Sequence, residues 1–413
     1  MVNLDIWPVN KRIMKKIKVL HVHNYYLQAG GEDTAFSAEV SLLRDHGHEV
    51  VEYTDHNSRI ETMSKASVAV QTLWSRDSYH KLAGILQRER PDVVHFHNTF
   101  PLISPSAYYA CHKAGIPVIQ SLDNPRLICP SANFFRDGRL CQDCLGKTPP
   151  WPGIIHRCYH NSSIHTAVVV SMLSLHRWIS TWNSKVGFYL VATEFYKRKF
   201  IEGGLPGVKV LVKPHFIYPD PEPRPGDQYG EYALFIGRLD PEKGVRTLFE
   251  TWKTLKGIPL VIRGGGQMEN EVSQFIKDND LSNFIHVIGR LSKEELTEKI
   301  KAARFLVWPS EGYYETFGYV AVESFSCGVP VITSRIGVLS EIVTDGVTGL
   351  HFIPGDSQDL AAKVQWAWDH PVEMAEMGRN ARREFEAKYT AEKNYGMLMN
   401  IYQRAFAENS AAK

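Results

Sequence analysis

The sequence lacks the features that mark secreted, membrane-spanning and nucleic-acid-binding chains. No apolar run of signal-peptide length precedes the first predicted strand, and the longest apolar stretch outside the strands, residues 166–175, is shorter than the roughly 20 residues that cross a bilayer. The 413 residues carry 47 basic and 45 acidic side chains, so the net charge of +2 indicates no nucleic-acid partner. We therefore expect a cytoplasmic protein.

Dinucleotide-binding and repeat signatures are also missing. Neither AGGEDT at residues 29–34 nor GGGQ at residues 264–267 matches the GxGxxG pattern. We find no short-period repeat and no low-complexity segment. In AGGEDT, Gly30 and Gly31 allow a tight turn that places bare backbone over a ligand cleft, although a plain turn is the alternative.

What the sequence does contain is a regular alternation of short β-branched runs and helix-length segments. Runs that are apolar on both faces fit buried parallel strands, and the alternation predicts the α/β class with doubly wound sheets. The predicted strands are residues 17–23, 49–53, 92–96, 117–122, 188–192, 209–212, 233–237, 260–263, 284–288, 305–308 and 331–333.

A proline-rich segment, residues 213–230, separates the two series of strands. Repeated proline stops helices and central strands, so this segment is predicted to be an interdomain linker. We expect Rossmann-like domains at residues 1–213 and 214–390. Residues 391–413 have apolar side chains at helical spacing and are predicted to form a helix that packs back on the domains.

The strongest motif is PSEGYYETFGYVAVESFSCGVPVITS, residues 309–334, which follows a predicted strand. Thr316 is expected to cap a helix that begins near Phe317 and Gly318. The first N–H groups of that helix, near Phe317, Gly318 and Tyr319, have no partner within the helix and predict an anion site.

Two glutamates flank the start of this predicted helix. Glu315 lies in the loop before it, and Glu323 lies about 8–9 Å along the axis at 1.5 Å per residue. This offset suits a ligand with a phosphate at the helix start, a sugar on Glu315 and a ribose on Glu323. The alternative is a pair of solvated helix residues.

A second motif, GRLDPEKG at residues 237–244, also follows a predicted strand. Arg238 and Lys243 flank a turn made by Asp240 and Pro241. Two cations at the carboxyl end of a strand suit a diphosphate and can stabilise the charge that a diphosphate leaving group gains. Ordinary surface charge is the alternative.

Four of the six cysteines fall within 30 residues of one another, with the spacing C-x11-C-x2-C-x13-C. A C-x2-C pair with two flanking cysteines fits a structural tetrahedral zinc site. Free or partly disulfide-bonded thiols are the alternative. The candidate ligands are Cys129, Cys141, Cys144 and Cys158.

Together, EGYYETFGYVAVESFSCGVPVI, GRLDPEKG and the glycine loop resemble the retaining glycosyltransferase family 4, glycosyl transferases group 1, of the two-domain GT-B fold. The resemblance runs along nearly the whole chain and includes VVHFHN at residues 93–98. It implies a nucleotide-sugar donor, most often a UDP- or GDP-sugar, held by the second domain, with the acceptor on the first. It also implies retention of anomeric configuration, no catalytic divalent metal and a role in polysaccharide biosynthesis.

The same resemblance implies roles for individual residues. The donor diphosphate would be held by Arg238, Lys243 and the backbone of Phe317, Gly318 and Tyr319. Glu315 would contact the transferred sugar, and Glu323 the ribose hydroxyls. Gly31 would lie near the donor phosphate or the acceptor, and Ile288 and Arg290 would lie near the base.

One position departs from the family pattern. Where the family has histidine in a TLHN or TLHD segment facing the donor sugar, this chain has SLDN, with Asp123 after a predicted strand. Asp123 should lie in the interdomain cleft. Its charge would oppose the donor phosphates, so we expect less transfer than in an Asp123→His variant. Alternatively, Asp123 accepts a hydrogen bond from a donor hydroxyl.

Two other functions remain open at this point. An inactive relative would bind a nucleotide sugar or a partner protein without transfer, and another GT-B enzyme, such as a nucleotide-sugar epimerase, would act on the nucleotide sugar itself. The acceptor also stays open: a glycan, a lipid-linked acceptor or a small molecule.

One helical segment could bring the chain to the inner membrane face. A set of cationic and aromatic residues could touch a membrane surface or a lipid-linked acceptor, although an ordinary packed helix is the alternative. The set is Arg177, Trp178, Trp182 and Lys185.

Overall fold

The computed structural model describes residues 15–27, 30–225, 230–255, 257–311 and 315–411. Within them lie two six-stranded sheets and one small hairpin. The strands are β1 Lys18–Tyr25, β2 Glu49–His56, β3 Val93–Asn98, β4 Val118–Ser121, β5 Phe135–Arg136, β6 Arg139–Leu140, β7 Phe188–Val191, β8 Val210–Val212, β9 Tyr232–Ile236, β10 Leu260–Arg263, β11 Ile285–Ile288, β12 Ala303–Trp308, β13 Val331–Ser334 and β14 Gly349–Phe352.

Helices connect the strands and cover both sheets. They are α1 Gly31–Asp45, α2 Lys65–Leu73, α3 Arg76–Glu89, α4 Ser106–Ala114, α5 Pro152–Ile155, α6 Ser163–Trp178, α7 Thr181–Ser184, α8 Glu194–Glu202, α9 Val245–Thr254, α10 Glu269–Asp278, α11 Lys293–Lys301, α12 Tyr319–Ser326, α13 Leu339–Ile342, α14 Ser357–Asp369, α15 Pro371–Lys388 and α16 Ala391–Ala411. Of the helices in the described part of the chain, none combines the length and apolarity needed to cross a bilayer.

The strands confirm the α/β prediction. Each predicted strand is present, and both large sheets pair their strands in parallel. The strands β3, β4, β7 and β13 are buried along their whole length, as expected for sheets covered on both faces. The hairpin of β5 and β6 and the edge strand β14 were not predicted.

The strand order locates the ligand crevices. The sheets run β2-β1-β3-β4-β7-β8 and β11-β10-β9-β12-β13-β14. In each sheet the order reverses beside its first strand, between β1 and β3 and between β9 and β12, and ligands of doubly wound sheets bind outside the carboxyl ends of strands at such a point. The GRLDPEKG loop follows β9, and the loop that contains Glu315 follows β12.

Two segments tie the halves of the molecule together. The linker leaves β8 at residue 213, and Ile217 pairs with Thr390, the residue before α16. The helix α16 buries Leu398 and Tyr402 in the core of the first sheet, as the sequence predicted for a C-terminal helix. The proposed boundary at residues 213/214 falls between the two sheets, and residues 1–14 lie outside the described residues.

Candidate active site

The two loops at the switch point of the second sheet pack backbone against backbone. Gly244 has a φ of 70°, and a Cβ there would overlap the carbonyl oxygen of Pro309. The Glu311 N–H donates to the Glu242 carbonyl at 3.2 Å. A side chain at position 244 would force the loops apart, so glycine is what allows the two motifs to meet.

This packing brings Lys243 and Glu315 into contact. The Lys243 Nζ forms an ion pair with Glu315 Oε1, and the Ser310 hydroxyl donates to the same oxygen at 3.1 Å. Both ion-pair side chains are largely buried, at 16% and 15% exposure. The structure therefore joins the predicted cation and the predicted sugar-binding carboxylate at one point.

Arg238 is held differently. Its guanidinium pairs with Asp240 at 2.9 Å and with Glu242 at 3.3 Å, both in its own loop, and the side chain is 60% exposed. An exposed and long side chain can change rotamer at small cost. Arg238 therefore lies exposed on the surface of the loop, whereas Lys243 is largely buried and contacts Glu315.

The helix after Glu315 begins later than predicted, and Thr316 does not cap it. The residue before α12 is Gly318, in the left-handed conformation with a φ of 91°, and no side chain caps the helix. A Cβ on Gly318 would overlap the Trp308 indole at the end of β12. Because of this turn, the first helical N–H groups belong to Tyr319 and Val320 and not to Phe317.

Aromatic rings fill the space between α12 and the first sheet. The Tyr319 ring lies 3.5 Å from where a Cβ on Gly31 would be, at the start of α1. The Phe317 ring is 1% exposed and packs edge-on against Tyr319. The predicted residues Gly31 and Tyr319 are thus neighbours across the two halves, and the start of α12 faces the first sheet.

Glu323 lies one turn into α12 and is half-buried. Burial raises its pKa to about 7, with Lys293 and Arg263 acting in the opposite direction. The predicted base-binding residues lie elsewhere on the same sheet: Ile288 ends the edge strand β11 and is half-buried, and Arg290 is exposed two residues later. Their roles stay predictions.

Asp123 has two histidine partners that the sequence argument missed. His215 Nε2 lies 3.1 Å from Asp123 Oδ1, and His97 Nδ1 lies 3.9 Å from Oδ2. Burial alone would raise the pKa of Asp123, but the two imidazoles outweigh burial and hold it well below its usual range. The carboxylate is therefore a compensated charge between β3, β4 and the linker, and not a lone charge facing the donor.

The neighbours of Asp123 continue into a buried cluster. Its four members offer ligand atoms within 4.8 Å of one another: His21, Glu39, His95 and His97. Glu39 Oε2 also pairs with Lys213 Nζ at 2.7 Å. Burial opposes, but the carboxylates of Asp123 and Glu39 raise the pKa of His97 to about 9. Glu39 is therefore paired with Lys213 and His97, and His97 also lies 3.9 Å from Asp123.

The cysteine segment surrounds the β5–β6 hairpin. All six cysteines are free thiols. Among the described residues, no three of the four candidate sulfur atoms come within 4.8 Å of one another. Burial, followed by the neighbouring cysteines, raises the pKa of Cys144 to about 12 and that of Cys158 to about 11. The zinc site stays a prediction, and zinc binding would require the four sulfur atoms to move closer together.

The structure separates the set of residues considered for membrane contact. Trp178 is 83% exposed, whereas Trp182 is 4% exposed and lies in the core. Arg177 donates to the Gly203 carbonyl at 2.6 Å, and Lys185 lies over the Tyr109 ring. These residues do not form one exposed face.

Comparison with known proteins finds a family match in the second half of the chain. Residues 221–384 match the model of the family described as "Glycosyl transferases group 1". An uncharacterized glycosyltransferase of Methanocaldococcus jannaschii is 33% identical over 172 residues, which are 42% of this chain and 48% of that protein. The O-antigen chain mannosyltransferase C of Escherichia coli is 30% identical over 172 residues, 41% of this chain and 46% of that protein. The chain therefore spans less than half the length of these relatives.

Solved structures resemble the whole chain at low sequence identity. The Anabaena HepE protein in complex with UDP superimposes with a TM-score of 0.66 at 17% identity, covering 94% of this chain and 100% of that chain. A glycosyltransferase of Rickettsia africae gives a TM-score of 0.70 at 15% identity, covering 95% and 99%. The chain thus has the GT-B fold, and its residues 221–384 are similar to the glycosyl transferases group 1 family.

Proposed function

We propose that this chain is a retaining glycosyltransferase that takes a sugar from a nucleotide-sugar donor bound at the cleft between its two sheets. The observation that carries the proposal is the meeting of Lys243 and Glu315 at a topological switch point, beside the N-terminus of α12. A cation, a carboxylate and the first N–H groups of a helix lie there together. That combination suits a sugar diphosphate.

The proposed catalysis depends on where negative charge develops as the donor bond breaks. As the sugar leaves, negative charge grows on the distal phosphate. Lys243, Arg238 and the N–H groups of Tyr319 and Val320 stabilise that charge more in the transition state than in the ground state. We propose that these groups take the part that a divalent metal plays in other transferases. Arg238 reaches the phosphates by leaving Asp240.

The remaining site residues would orient the donor. Glu315 accepts hydrogen bonds from the transferred sugar, and Glu323 accepts them from the ribose. Gly31 lets the first domain approach Tyr319 closely beside the phosphates. Ile288 and Arg290 would contact the base. Retention places the acceptor hydroxyl on the same face as the leaving phosphate, which can take its proton.

Relatives indicate the substrate class. The Anabaena HepE protein was crystallised with UDP and with UDP-glucose, and one E. coli relative is an O-antigen chain mannosyltransferase. We propose a UDP- or GDP-sugar donor and a glycan or lipid-linked acceptor of polysaccharide biosynthesis. A lipid-linked acceptor would bring the chain to the inner membrane face.

A donor panel tests the proposal. The full chain is incubated with UDP-, GDP- and ADP-sugars, with and without oligosaccharide and lipid-linked acceptors, and released nucleotide is measured. We expect one donor class to give acceptor-dependent release, with the donor's anomeric configuration kept in the product by NMR. Nucleotide binding without any release would indicate the inactive relative, and conversion of the nucleotide sugar itself would indicate an epimerase. An inverted product would contradict retention.

A further inference from the structure

His215 lies where three segments meet: the linker, the start of α12 and the residues that follow β4. It lies in the linker, five residues after the start of β8, and its side chain is 13% exposed. Its ring stacks on Tyr319, with centroids 5.3 Å apart and an interplanar angle of 14°. The same ring meets Phe317 edge-on at 5.1 Å. His215 therefore lies directly beside the residue that opens α12.

Asp123 fixes the ring from the opposite side. The 3.1 Å contact uses His215 Nε2, so the ring turns its Nδ1 edge away from Asp123. Two contacts at right angles, one ion pair and one stacking surface, leave the imidazole little rotational freedom. Such a ring is held in place before any ligand binds, which is what a hydrogen bond to a developing charge requires.

A series of ion-pair contacts extends from the His215 ring into the first sheet. Asp123 also faces His97, which in turn contacts Glu39, and Glu39 is paired with Lys213 at 2.7 Å. The second carboxylate of the cluster thus has its own ammonium partner. Asp123 is therefore shared between the imidazoles of His97 and His215.

We propose that His215 is a donor-contacting residue, fixed by Asp123 and Tyr319, whose Nδ1 forms a hydrogen bond with the nucleotide-sugar donor where the sugar joins the distal phosphate. This inference rests on the proposed function. It makes Asp123 a positioning residue that acts through His215. In this arrangement the imidazole enters the site from the linker instead of from the loop after β4.

The test compares histidine variants in the full chain with the donor found active in the panel. In His215→Ala we expect kcat/KM for the donor to fall about 100-fold, the loss typical of deleting one preorganised hydrogen-bond donor. His215→Gln keeps an N–H donor and should retain part of the activity. Imidazole added to His215→Ala should restore part of the lost turnover. Asp123→Asn should lower turnover, and His215→Ala added to Asp123→Asn should then lower it little further.

A second histidine provides the matched control. His46 also pairs with a carboxylate, Glu392 at 3.3 Å, and stacks on a tyrosine, Tyr395 at 3.7 Å, but it does so against α16. His46→Ala should keep wild-type turnover.

The outcomes separate this inference from the proposed function. No donor-dependent activity and no nucleotide binding in the wild-type chain would refute the function. An active wild type with an equally active His215→Ala variant would refute only the role of His215. The role of His215 would also be refuted if turnover in every His215 variant fell in step with Tm and added imidazole restored none of it. A purely structural histidine gives that result.

Discussion

At the scale of single residues, the proposed site holds its charges in pairs. Lys243 pairs with Glu315, Arg238 with Asp240, and Asp123 with His215. Each pair lowers the cost of placing charge in a partly buried cleft. A bound diphosphate would exchange carboxylate partners for phosphate oxygens. The pairing gives Asp123 two histidine neighbours that the sequence-based expectation of charge repulsion did not include.

This pairing reverses the expectation for Asp123→His. The variant would remove the anchor of His215 and place a third imidazole beside His97 and His215. We expect lower transfer than wild type, together with a lower Tm. Measuring both on one preparation checks the revision, and a variant with higher transfer would restore the original sequence-based expectation.

Removing either cation of the GRLDPEKG loop should slow turnover. For Lys243→Ala and for Arg238→Ala we expect losses of about 100-fold in kcat, since each removes charge stabilisation of the leaving diphosphate. Arg246→Ala is the control, because Arg246 on α9 is a similarly exposed arginine that pairs with Glu271 on α10. Near wild-type turnover in Arg238→Ala would remove that residue from the site.

Glu323 predicts a pH dependence of nucleotide binding. Its pKa of about 7 means that the carboxylate is protonated below that pH. The ionised form accepts hydrogen bonds from ribose hydroxyls, so affinity should be highest above pH 7 and decline as the pH falls toward 6. Glu32 also has a pKa of about 7, and Glu323→Gln separates the two. A Glu323→Gln variant with an unchanged pH profile of the nucleotide Kd would assign the dependence to another group.

At the scale of elements, the strands with long apolar runs could be predicted, whereas the short edge strand β14 and the turn before α12 could not. Runs such as VVHFHN are buried on both faces, which makes their strand character plain from the sequence. By contrast, β14 has only four residues, GLHF, and begins with glycine. The Thr316 cap was wrong because the chain turns at Gly318, which packs against Trp308 at the end of β12, and the sequence pattern does not reveal that contact.

The same tertiary contacts hid part of the site. His97 lies in VVHFHN on β3 and His215 lies in the linker, but nothing in the sequence links either residue to Asp123, and only folding brings them together. A usable signal was present, since two histidines alternate on the otherwise apolar strand β3 and another follows β8. Buried histidines are uncommon enough to deserve a search for their partners.

The turn before α12 predicts the effect of Gly318→Ala. The variant forces a Cβ into the left-handed region and into the Trp308 ring. We expect the free energy of unfolding to fall by about 2–4 kcal/mol, the sum of backbone strain and overpacking. Gly346→Ala is the control: its φ is 72° but a Cβ there meets nothing within 4 Å, so about 1 kcal/mol is expected. Equal losses in urea unfolding would contradict the Trp308 contact.

The cysteine segment predicts a bound zinc ion. Elemental analysis of purified protein should find about one zinc per chain, and removal with a chelator should lower the Tm by loosening the β5–β6 hairpin and its flanking loops. Cys144→Ser should lose the metal, whereas Cys327→Ser, on a cysteine far from the four, should keep it. Protein without zinc whose four thiols titrate freely would reject the site.

At the scale of the whole molecule, one hydrophobic cluster and several polar contacts join the two halves. Gly31, Tyr319, His215 and Asp123 form a continuous path from α1 through α12 and the linker to β4. The helix α16 packs the end of the chain onto the first sheet. The proposed donor site at the second sheet is thereby joined to the first sheet through the linker.

The most direct test of the central claim is the position of a bound nucleoside diphosphate in a crystal of this chain. The account predicts the two phosphates within hydrogen-bond distance of Lys243 Nζ and the N–H groups of Tyr319 and Val320, with the ribose hydroxyls on Glu323. A diphosphate bound away from the start of α12, or a ribose that does not meet Glu323, would contradict it.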